Sequence, residues 1–403
     1  MKIHRNLVEQ LVQALLAVFA QGRHADKVIE QALAANPRWG ARDRRQFAEG
    51  CYEIVRHWRR LWHAAGLPPG EYLVPAAVSA ERLWRVWGTW RRAQGHSLPD
   101  WPELAGLVDA PSSPLPRALA ESIPDWLDEL GSRAFGPDWP GLLTALNRPA
   151  EVFLRVNTLK TERERLLQAL TAEGIAAMPV AGLPDALRLT ERRNVFQSAA
   201  FRQGLFEVQD AASQLVAPFL QVEPGQRVID ACAGAGGKTL HLAALMHNRG
   251  RIIALDLHHW KLQELRRRAR RNGAGIIETR VIESNKTFKR LRDSADRLLL
   301  DVPCSGLGVL RRNPDKKWKL SPDEIGRLVE LQRDILARYS AMTRPGGLLV
   351  YATCSLLPAE NQEQVRGFLA QHPGQWELEE ERTLRPDREG WDGFYMARLR
   401  RRA

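Results

Sequence analysis

The chain has 403 residues, of which 44% are hydrophobic and 26% charged, and its net charge is +12. This length allows two or three domains, and the composition excludes a disordered or fibrous protein. The excess of Lys and Arg favours a polyanionic partner such as nucleic acid, although a generic basic protein has the same balance. Four cysteines without a C-x-x-C pair support neither a zinc site nor a disulfide framework, so we expect no metal and a cytoplasmic location. No run approaches about 20 apolar residues, so we expect no membrane span.

Residues 1–65 are predicted to form a helical domain. Apolar residues recur there at spacings of three and four, and Gly and Pro fall between the periodic segments. The predicted helices span Leu7–Gln21, Lys27–Ala35 and Asp43–Ala64.

Residues 66–144 are predicted to form a helical connector. It carries Trp84, Trp87 and Trp90 among several arginines. Such rings could stack on bases, but a spacing of three favours a buried helix stripe with a solvated basic face. A loop is predicted at Ala110–Pro116, where Pro and Ser are concentrated.

Two α/β regions follow the helical segments. Residues 145–210 are predicted to form a small α/β domain that opens with a strand at Val152–Asn157. From Gly225 onward strands and helices alternate strictly, which indicates a doubly wound, mostly parallel sheet. We therefore predict an α/β fold in which residues 211–403 form the catalytic domain.

Two predicted strands of this domain end just before a cysteine. Arg297–Asp301 leads into Cys304, and Leu348–Thr353 leads into Cys354. The carboxyl ends of strands in an open α/β sheet face the ligand crevice, so Asp301 and both thiols should share one site. A single cysteine in such a place is more often an ordinary buried residue. Two with the same placement favour a site for thiolate attack.

A glycine-rich loop after the strand that ends at Asp230 is a candidate cofactor site. Its glycines allow a ligand to approach closely, and the following helix N-terminus favours a phosphate or carboxylate. The spacing fits neither a P-loop, which needs Gly at Cys232, nor G-x-G-x-x-G, which meets Thr239 at its last position. Asp256, which ends the next strand, can accept both hydroxyls of a ribose, as S-adenosylmethionine or NAD requires. With the cysteine pair, methyl transfer is favoured. The loop residues are Cys232, Ala233, Gly234, Ala235, Gly236, Gly237 and Lys238.

Methyl transfer to carbon 5 of a pyrimidine explains why a thiolate would be needed. A thiolate that adds to carbon 6 makes carbon 5 nucleophilic, and loss of the carbon 5 proton later expels the thiol. A cationic neighbour should lower the pKa of the attacking thiol, and Lys238 is a candidate. Asp301 is placed to bond the ring nitrogen and amine of a cytosine. The base must leave any stack to enter such a pocket.

Ordered motifs from about Ser122 to the C-terminus resemble the Sun/NSUN family of RNA cytosine-5 methyltransferases, most of all its bacterial RsmB branch. The motifs are Arg155-Val-Asn157 with Lys160, Gln209-Asp210 with Ser213, Asp230–Thr239, Asp301–Ser305, Arg311–Asp315 with Lys317-Trp318, Thr353–Ser355 and Asp392–Phe394. The resemblance implies S-adenosylmethionine as cofactor and a Rossmann-like methyltransferase sheet with an antiparallel last strand. It also implies that residues 145–210 contact RNA and that residues 1–65 are an all-α RNA-binding domain of the NusB type.

The resemblance also implies residue roles. The family's nucleophile corresponds to Cys354, and Cys304 corresponds to a cysteine that assists product release. Cofactor contacts carry over to the glycine-rich loop, to Asp256 and to Asp301. Ala235 stands where the family usually has Pro, and Asn285 or its neighbour replaces an acidic residue that contacts adenine, so weaker cofactor binding is expected. The candidate RNA-binding residues are Arg155, Asn157, Arg311, Arg312 and Lys317.

We therefore expect a monomeric S-adenosylmethionine-dependent RNA cytosine-5 methyltransferase that acts on 16S rRNA. A tRNA substrate is the alternative within the family. A catalytically impaired, RNA-binding ribosome-assembly factor is the alternative from another class, favoured by Ala235 and Asn285 but opposed by the two cysteines and Lys238. A nicotinamide-dependent oxidoreductase is opposed by Thr239.

Overall fold

The structure, a computed structural model, describes residues 4–107 and 114–403. Residues 110–113 of the predicted loop lie outside this range. The fold separates into two units: described residues up to Arg148 together with Leu310–Pro322, and Pro149–Val309 together with Asp323–Ala403. Within the described ranges, no helix combines the length and the apolar character needed to cross a membrane.

The secondary structure consists of helices and strands numbered in chain order. The helices are α1 (Arg5–Phe19), α2 (Ala25–Ala35), α3 (Ala41–Arg56), α4 (Trp58–Ala64), α5 (Ala80–Ala93), α6 (Arg117–Ala120), α7 (Asp125–Phe135), α8 (Trp139–Leu146), α9 (Arg163–Ala172), α10 (Ala199–Arg202), α11 (Ala211–Phe219), α12 (Gly237–Leu245), α13 (His259–Asn272), α14 (Lys286–Leu291), α15 (Lys316–Lys319), α16 (Pro322–Tyr339) and α17 (Gln362–Gln371). The strands are β1 (Phe153–Val156), β2 (Ala177–Val180), β3 (Leu183–Leu189), β4 (Phe206–Val208), β5 (Arg227–Asp230), β6 (Arg251–Asp256), β7 (Ile277–Val281), β8 (Ala295–Asp301), β9 (Thr343–Thr353), β10 (Trp376–Leu384) and β11 (Phe394–Arg401).

The first unit is helical, and α1–α5 share one apolar core. Trp58 and Trp62 of α4 are fully buried, as is Trp87 of α5. Trp84 and Trp90 are also buried, so the prediction that the connector tryptophans form a core stripe is confirmed. Because α5 packs into the same core as α1 and α3, the boundary predicted after residue 65 does not separate two cores.

The segment around α15 belongs to this helical unit, although its sequence position suggested the catalytic domain. Lys317 is 1% exposed, and its Nζ donates hydrogen bonds to the Arg56 carbonyl at 2.8 Å and to Asn147 Oδ1 at 3.0 Å. Trp318 Nε1 donates to the Val55 carbonyl at 2.7 Å. These side chains dock the segment onto α3 and the end of α8.

The second unit begins with a four-stranded antiparallel sheet in the order β2-β3-β1-β4. Leu154, Leu166 and Phe206 lie in its apolar core with side chains from α9 and α10. On the other face of this sheet, Arg155 of β1 is the register partner of Glu207 of the edge strand β4. Directly paired residues of antiparallel strands project from the same face, so these two charges lie side by side.

A seven-stranded sheet forms the rest of the unit, in the order β10-β11-β9-β8-β5-β6-β7. The strands from β9 to β7 are parallel, and β11 inserts antiparallel between β10 and β9. This arrangement confirms the Rossmann-like methyltransferase sheet with an antiparallel last strand. The winding direction changes at β5, where a ligand crevice is expected. The carboxyl ends of β5, β6, β8 and β9 carry Asp230, Asp256, Asp301 and Thr353, respectively.

Strand bounds agree with the sequence where the apolar runs are uninterrupted. The strands predicted at Arg227–Asp230 and Arg251–Asp256 are β5 and β6 as observed. However, β9 begins at Thr343, five residues before the predicted start. Its first residues include Pro345 and the glycines that follow it, which are rare within strands and hid the extension from sequence patterns.

Candidate active site

The structure brings Cys304 and Cys354 together. Their sulfur atoms are 3.4 Å apart, and both residues are partly exposed. Each cysteine follows the carboxyl end of its strand, and β8 and β9 are parallel neighbours in which Asp301 is paired with Ala352. The two loops that leave these strands therefore turn toward the same point above the sheet.

A buried carboxylate connects the two cysteine loops. Glu360 is 0% exposed. Its Oε1 accepts hydrogen bonds from the Ser305 backbone N–H at 2.8 Å and from Gln332 Nε2 at 2.9 Å. Its Oε2 accepts from the hydroxyls of Ser305 and Ser355, which are themselves 3.1 Å apart. Each serine follows one of the cysteines, so Glu360 fixes both loops relative to each other.

Sequence reasoning missed Glu360 and Gln332. The available signal was the repeated Cys-Ser dipeptide after two neighbouring strands, because two buried hydroxyls need acceptors. Nothing in the local sequence shows which of the many carboxylates supplies them.

The turn that carries Cys354 is fixed by further contacts. Asn361 Nδ2 donates to the Ser355 carbonyl at 3.0 Å, and Thr353 Oγ1 bonds Asn361 Oδ1. The Gly308 N–H donates to the Cys354 carbonyl at 3.0 Å. A Cβ atom at Gly308 would lie 2.8 Å from that same carbonyl oxygen and closer still to another backbone atom. Only glycine therefore allows the loop after Cys304 to lie this close to Cys354.

Lys238 and Asp301 form an ion pair beside these loops. Lys238 Nζ lies 2.6 Å from Asp301 Oδ2 and 4.9 Å from the ring centroid of Phe394. Lys238 stands in the first turn of α12 and Asp301 at the end of β8, so the pair joins the glycine-rich loop to the strand that leads into Cys304. Phe394, from the start of β11, supports the ammonium by a cation–π contact.

The glycine-rich loop has the shape that a nucleoside cofactor requires. Gly234 and Gly236 adopt positive φ values of +54° and +86°, which glycine adopts without the strain other residues incur. A Cβ at Gly234 would meet no atom within 4 Å, so the loop is open on that side, whereas one at Gly236 would lie 2.0 Å from Leu265. The Asp256 carboxylate accepts the Gly234 N–H at 2.9 Å on one oxygen and the His258 N–H at 2.8 Å on the other. Each oxygen keeps a lone pair for a ribose hydroxyl, so the residues fit the cofactor.

Burial shifts the pKa values of two ionisable groups at the glycine-rich loop, Asp230 and Cys232. Burial raises the pKa of Asp230 to about 7, although Thr239 donates a hydrogen bond to its Oδ2 at 2.7 Å. Desolvation, followed by the charges of Asp230 and Asp301, raises the pKa of the Cys232 thiol well above its ordinary value. Cys232 therefore resists forming a thiolate at neutral pH.

Three of the predicted RNA-binding residues, Arg155, Asn157 and Lys317, are buried and hydrogen-bonded inside the protein. Arg155 is 2% exposed and donates to the Gly237 carbonyl at 2.6 Å and to Gln209. Asn157 is 4% exposed and donates to the carbonyls of Gly204 at 2.7 Å and Asn272 at 2.9 Å. Lys317 is enclosed in the helical unit, as described above. The polar ends of these three side chains are thus held by acceptors inside the protein.

The remaining candidates differ in exposure. Arg311 is also buried, at 8% exposed, and its carbonyl accepts a hydrogen bond from Arg56. Arg312 is half-buried. Asn285 is exposed, but its side-chain oxygen accepts a hydrogen bond from Arg338. The predicted contact of Asn285 with adenine would therefore have to compete with that bond. Among the described residues, no group of three His, Cys, Asp or Glu side chains is arranged to hold a metal ion.

Comparisons with known proteins point to one family. A family model described as 16S rRNA methyltransferase RsmB/F matches residues 217–400, and a model for the ferredoxin-like domain of the RsmF/B-like methyltransferases matches residues 123–196. The ribosomal RNA small subunit methyltransferase B of Vibrio vulnificus is 36% identical over 288 residues, which are 70% of this chain and 67% of that protein. The protein of the same name from Serratia proteamaculans is 33% identical over 317 residues, 74% of this chain and 73% of that one.

Solved structures show the same fold. The crystal structure of PH0851 is 25% identical, covers 99% of both chains and superposes with a TM-score of 0.85. A methyltransferase homolog protein from Pyrococcus horikoshii is 27% identical, covers 71% of this chain and 97% of its own, and has a TM-score of 0.62. The chain belongs to the RsmB/F family of 16S rRNA methyltransferases.

Proposed function

We propose that the protein transfers a methyl group from S-adenosylmethionine to carbon 5 of a cytosine in 16S rRNA through a covalent cysteine adduct. The observation that carries the proposal is the pair of thiols 3.4 Å apart at the ends of β8 and β9, next to the Lys238–Asp301 ion pair. A single nucleophile would need one cysteine here. Two adjacent thiols suit a reaction in which a bond to sulfur is first made and later broken.

Cys354 is assigned as the nucleophile. Its thiolate adds to carbon 6 of the cytosine, and the electron pair of the C5–C6 double bond shifts so that carbon 5 can form a new bond to the methyl group. Loss of the carbon 5 proton then restores the double bond, the carbon–sulfur bond breaks, and the thiolate leaves. Cys304 lies within reach of the Cys354 sulfur and is assigned to this second half, the release of the product.

Asp301 and Lys238 are assigned to the pyrimidine. The Asp301 carboxylate can accept a hydrogen bond from the exocyclic amine of cytosine, and the Lys238 ammonium keeps that carboxylate fixed. S-Adenosylmethionine supplies an electrophilic methyl group on a sulfonium. The loop residues Cys232–Lys238 and Asp256 would hold its nucleoside and methionine parts.

RNA contact outside the pocket is proposed for the helical unit. It exposes arginines such as Arg38 and Arg42, and Arg312 is half-buried on the segment around α15. Phosphate contacts from such side chains would position the strand without selecting its sequence. A cytoplasmic monomer is part of the same proposal.

The test compares wild type with Cys354→Ala, Cys304→Ala and, as a control, Cys51→Ala, which changes a thiol buried in the helical unit. Each protein is incubated with a 16S transcript and tritiated S-adenosylmethionine. Methylated RNA and denaturant-resistant protein–RNA adduct are measured separately.

We expect Cys354→Ala to lose both methylation and adduct, and Cys304→Ala to accumulate adduct with little free product. Cys51→Ala should keep methylating. If Cys304→Ala lost methylation and adduct while Cys354→Ala accumulated adduct, the role of nucleophile would belong to Cys304. Labelling of tRNA but not of 16S transcript would refute the assignment of 16S rRNA as the substrate. Absence of any adduct or product with wild type would refute the proposed methyltransferase activity.

A further inference from the structure

Arg268 of α13 connects the cofactor loop to the small antiparallel sheet. Its Nη1 donates to the Ala235 carbonyl at 2.7 Å, and its Nη2 donates to Glu207 Oε2 on β4 at 2.8 Å. Ala235 precedes Gly236, the residue whose positive φ shapes the turn into α12. One guanidinium therefore bridges an acceptor in the loop and an acceptor outside it.

Glu207 is a fixed partner for this guanidinium. It is 3% exposed and also accepts hydrogen bonds from Arg271 and, at 2.6 Å, from Asn272 Nδ2. Burial alone would raise the pKa of Glu207, but the charges of Arg268 and Arg271 and the bond from Asn272 outweigh it and hold the pKa below its ordinary value. Glu207 is thus charged at neutral pH, and its position is set from three sides.

A second contact reaches the loop from the same pair of strands. Arg155, the register partner of Glu207, donates to the Gly237 carbonyl at 2.6 Å. The two contacted carbonyls, of Ala235 and Gly237, stand on either side of Gly236. Burial lowers the pKa of Arg155 to about 10, so its guanidinium still carries its charge at neutral pH. Charged donors form stronger hydrogen bonds than neutral ones.

We propose that Arg268, oriented by Glu207, is a positioning residue for the cofactor loop, so that the small sheet sets the affinity for the cofactor. The inference rests on the proposed function, in which this loop binds S-adenosylmethionine. A turn held at the carbonyls on both sides of its glycine is already in its binding shape, and a ligand then loses less free energy in ordering it. Releasing the Ala235 carbonyl should weaken cofactor binding without altering the cysteines.

The helix offers a matched control. Arg268 and Arg271 both pair with Glu207, and their side chains are 18% and 21% exposed. However, Arg271 lies over the Phe201 ring, with its guanidinium carbon 3.8 Å from the centroid, and makes no contact with the loop among the described hydrogen bonds. Lysine keeps the positive charge in both variants but has one ammonium in place of a planar fork, so it cannot bridge two separated acceptors in the same way.

The experiment measures binding of S-adenosylmethionine to wild type, Arg268→Lys and Arg271→Lys by calorimetry, with thermal unfolding recorded on the same samples. We expect Arg268→Lys to raise Kd about tenfold, the loss of one charged hydrogen bond, and Arg271→Lys to change it less than about twofold. In steady state, Arg268→Lys should raise KM for the cofactor and leave kcat at saturating cofactor and KM for RNA unchanged.

Equal Kd values for wild type and Arg268→Lys would overturn the inference. So would an equal rise in both variants, because a general loss of the Glu207 cluster would then be the cause. If Arg268→Lys unfolds much earlier than Arg271→Lys, Arg268→Gln, which leaves Arg271, Asn272 and Glu207 in place, replaces it under the same criterion. If wild type itself fails to bind S-adenosylmethionine, the proposed function is refuted together with this inference.

Discussion

Replacing Glu360 by Gln should separate the two cysteine loops without removing either cysteine. The carboxylate accepts hydrogen bonds from the Ser305 backbone, from the Ser305 and Ser355 hydroxyls and from Gln332. A carboxamide has one acceptor oxygen, and its NH₂ group would face donors where Oε1 or Oε2 now accepts. The favoured orientation keeps the amide oxygen toward the Ser305 N–H and Gln332, and the two serine hydroxyls must then turn to accept from the NH₂ group.

The magnitude follows from these contacts. Hydrogen bonds to charged groups contribute about 1.5–3 kcal/mol each and neutral ones about 0.5–1.5 kcal/mol, so making all four bonds neutral costs roughly 4–6 kcal/mol. A buried amide is cheaper to desolvate than a buried carboxylate, which offsets part of this loss and leaves a net fall in the free energy of unfolding of about 2 kcal/mol. The larger effect is on the reaction. A shift of about 1 Å between the thiols would lower kcat by about 10²-fold.

The assay compares Glu360→Gln with Glu363→Gln, which makes the same chemical change at an exposed position on α17. Methylation of 16S transcript is followed at saturating cofactor, together with adduct yield and denaturant unfolding. We expect kcat to fall about 10²-fold for Glu360→Gln and to stay within about twofold for Glu363→Gln. Wild-type kcat in a Glu360→Gln protein that has lost stability would refute the reasoning, because the carboxylate would then support the fold but not the position of the thiols.

Two further predictions concern buried ionisable groups. The pKa of Asp230 is raised from 3.8 to about 7, so between these values the folded protein holds a proton that the unfolded chain releases. From about pH 4 to 7 the free energy of unfolding of wild type should therefore fall by up to about 4 kcal/mol relative to that of Asp230→Asn. Urea unfolding measures both proteins, and an equal pH dependence of the two would contradict the prediction. Lys317→Ala should lower the free energy of unfolding by about 3 kcal/mol, because two carbonyl-type acceptors lose their donor in a buried site, whereas Lys316→Ala should change it by less than about 0.5 kcal/mol. A Lys317→Ala protein of unchanged stability but weaker RNA binding, in a filter assay, would support the assignment of Lys317 to RNA.

The sequence predicted the large sheet well because its strands are continuous apolar runs. Parallel strands buried on both faces must be apolar along their length, so β5, β6 and β8 stand out between turn residues. The rule that carboxyl strand ends face the crevice then predicted that Cys304 and Cys354 would be neighbours before any coordinates. For the two cysteines, their position just after a strand was enough to predict that they share a site.

Internal partners far away in the chain could not be predicted from the sequence. Lys317 was assigned to RNA because it follows the Pro-Cys loop, and Arg155 because of its motif in the small domain that the resemblance implies contacts RNA. In the structure Arg155 bonds the Gly237 carbonyl and Lys317 bonds the Arg56 carbonyl, 82 and 261 positions away in the chain. Such partners are set by tertiary packing. No periodicity of the local sequence reports them.

The buried groups around the cysteines bear on whether the chain is an enzyme or a catalytically impaired assembly factor. Glu360 is fully enclosed, and among the described residues its carboxylate accepts hydrogen bonds from neutral donors. Burying a carboxylate in this way costs free energy that an apolar side chain of similar size would not. The buried carboxylate is explained if the two cysteine loops must be held at a fixed separation, which catalysis requires and a scaffold does not. Ala235 and Asn285 alter the cofactor site at its edge, whereas this arrangement lies beneath the thiols. The physical balance therefore favours the methyltransferase over the scaffold.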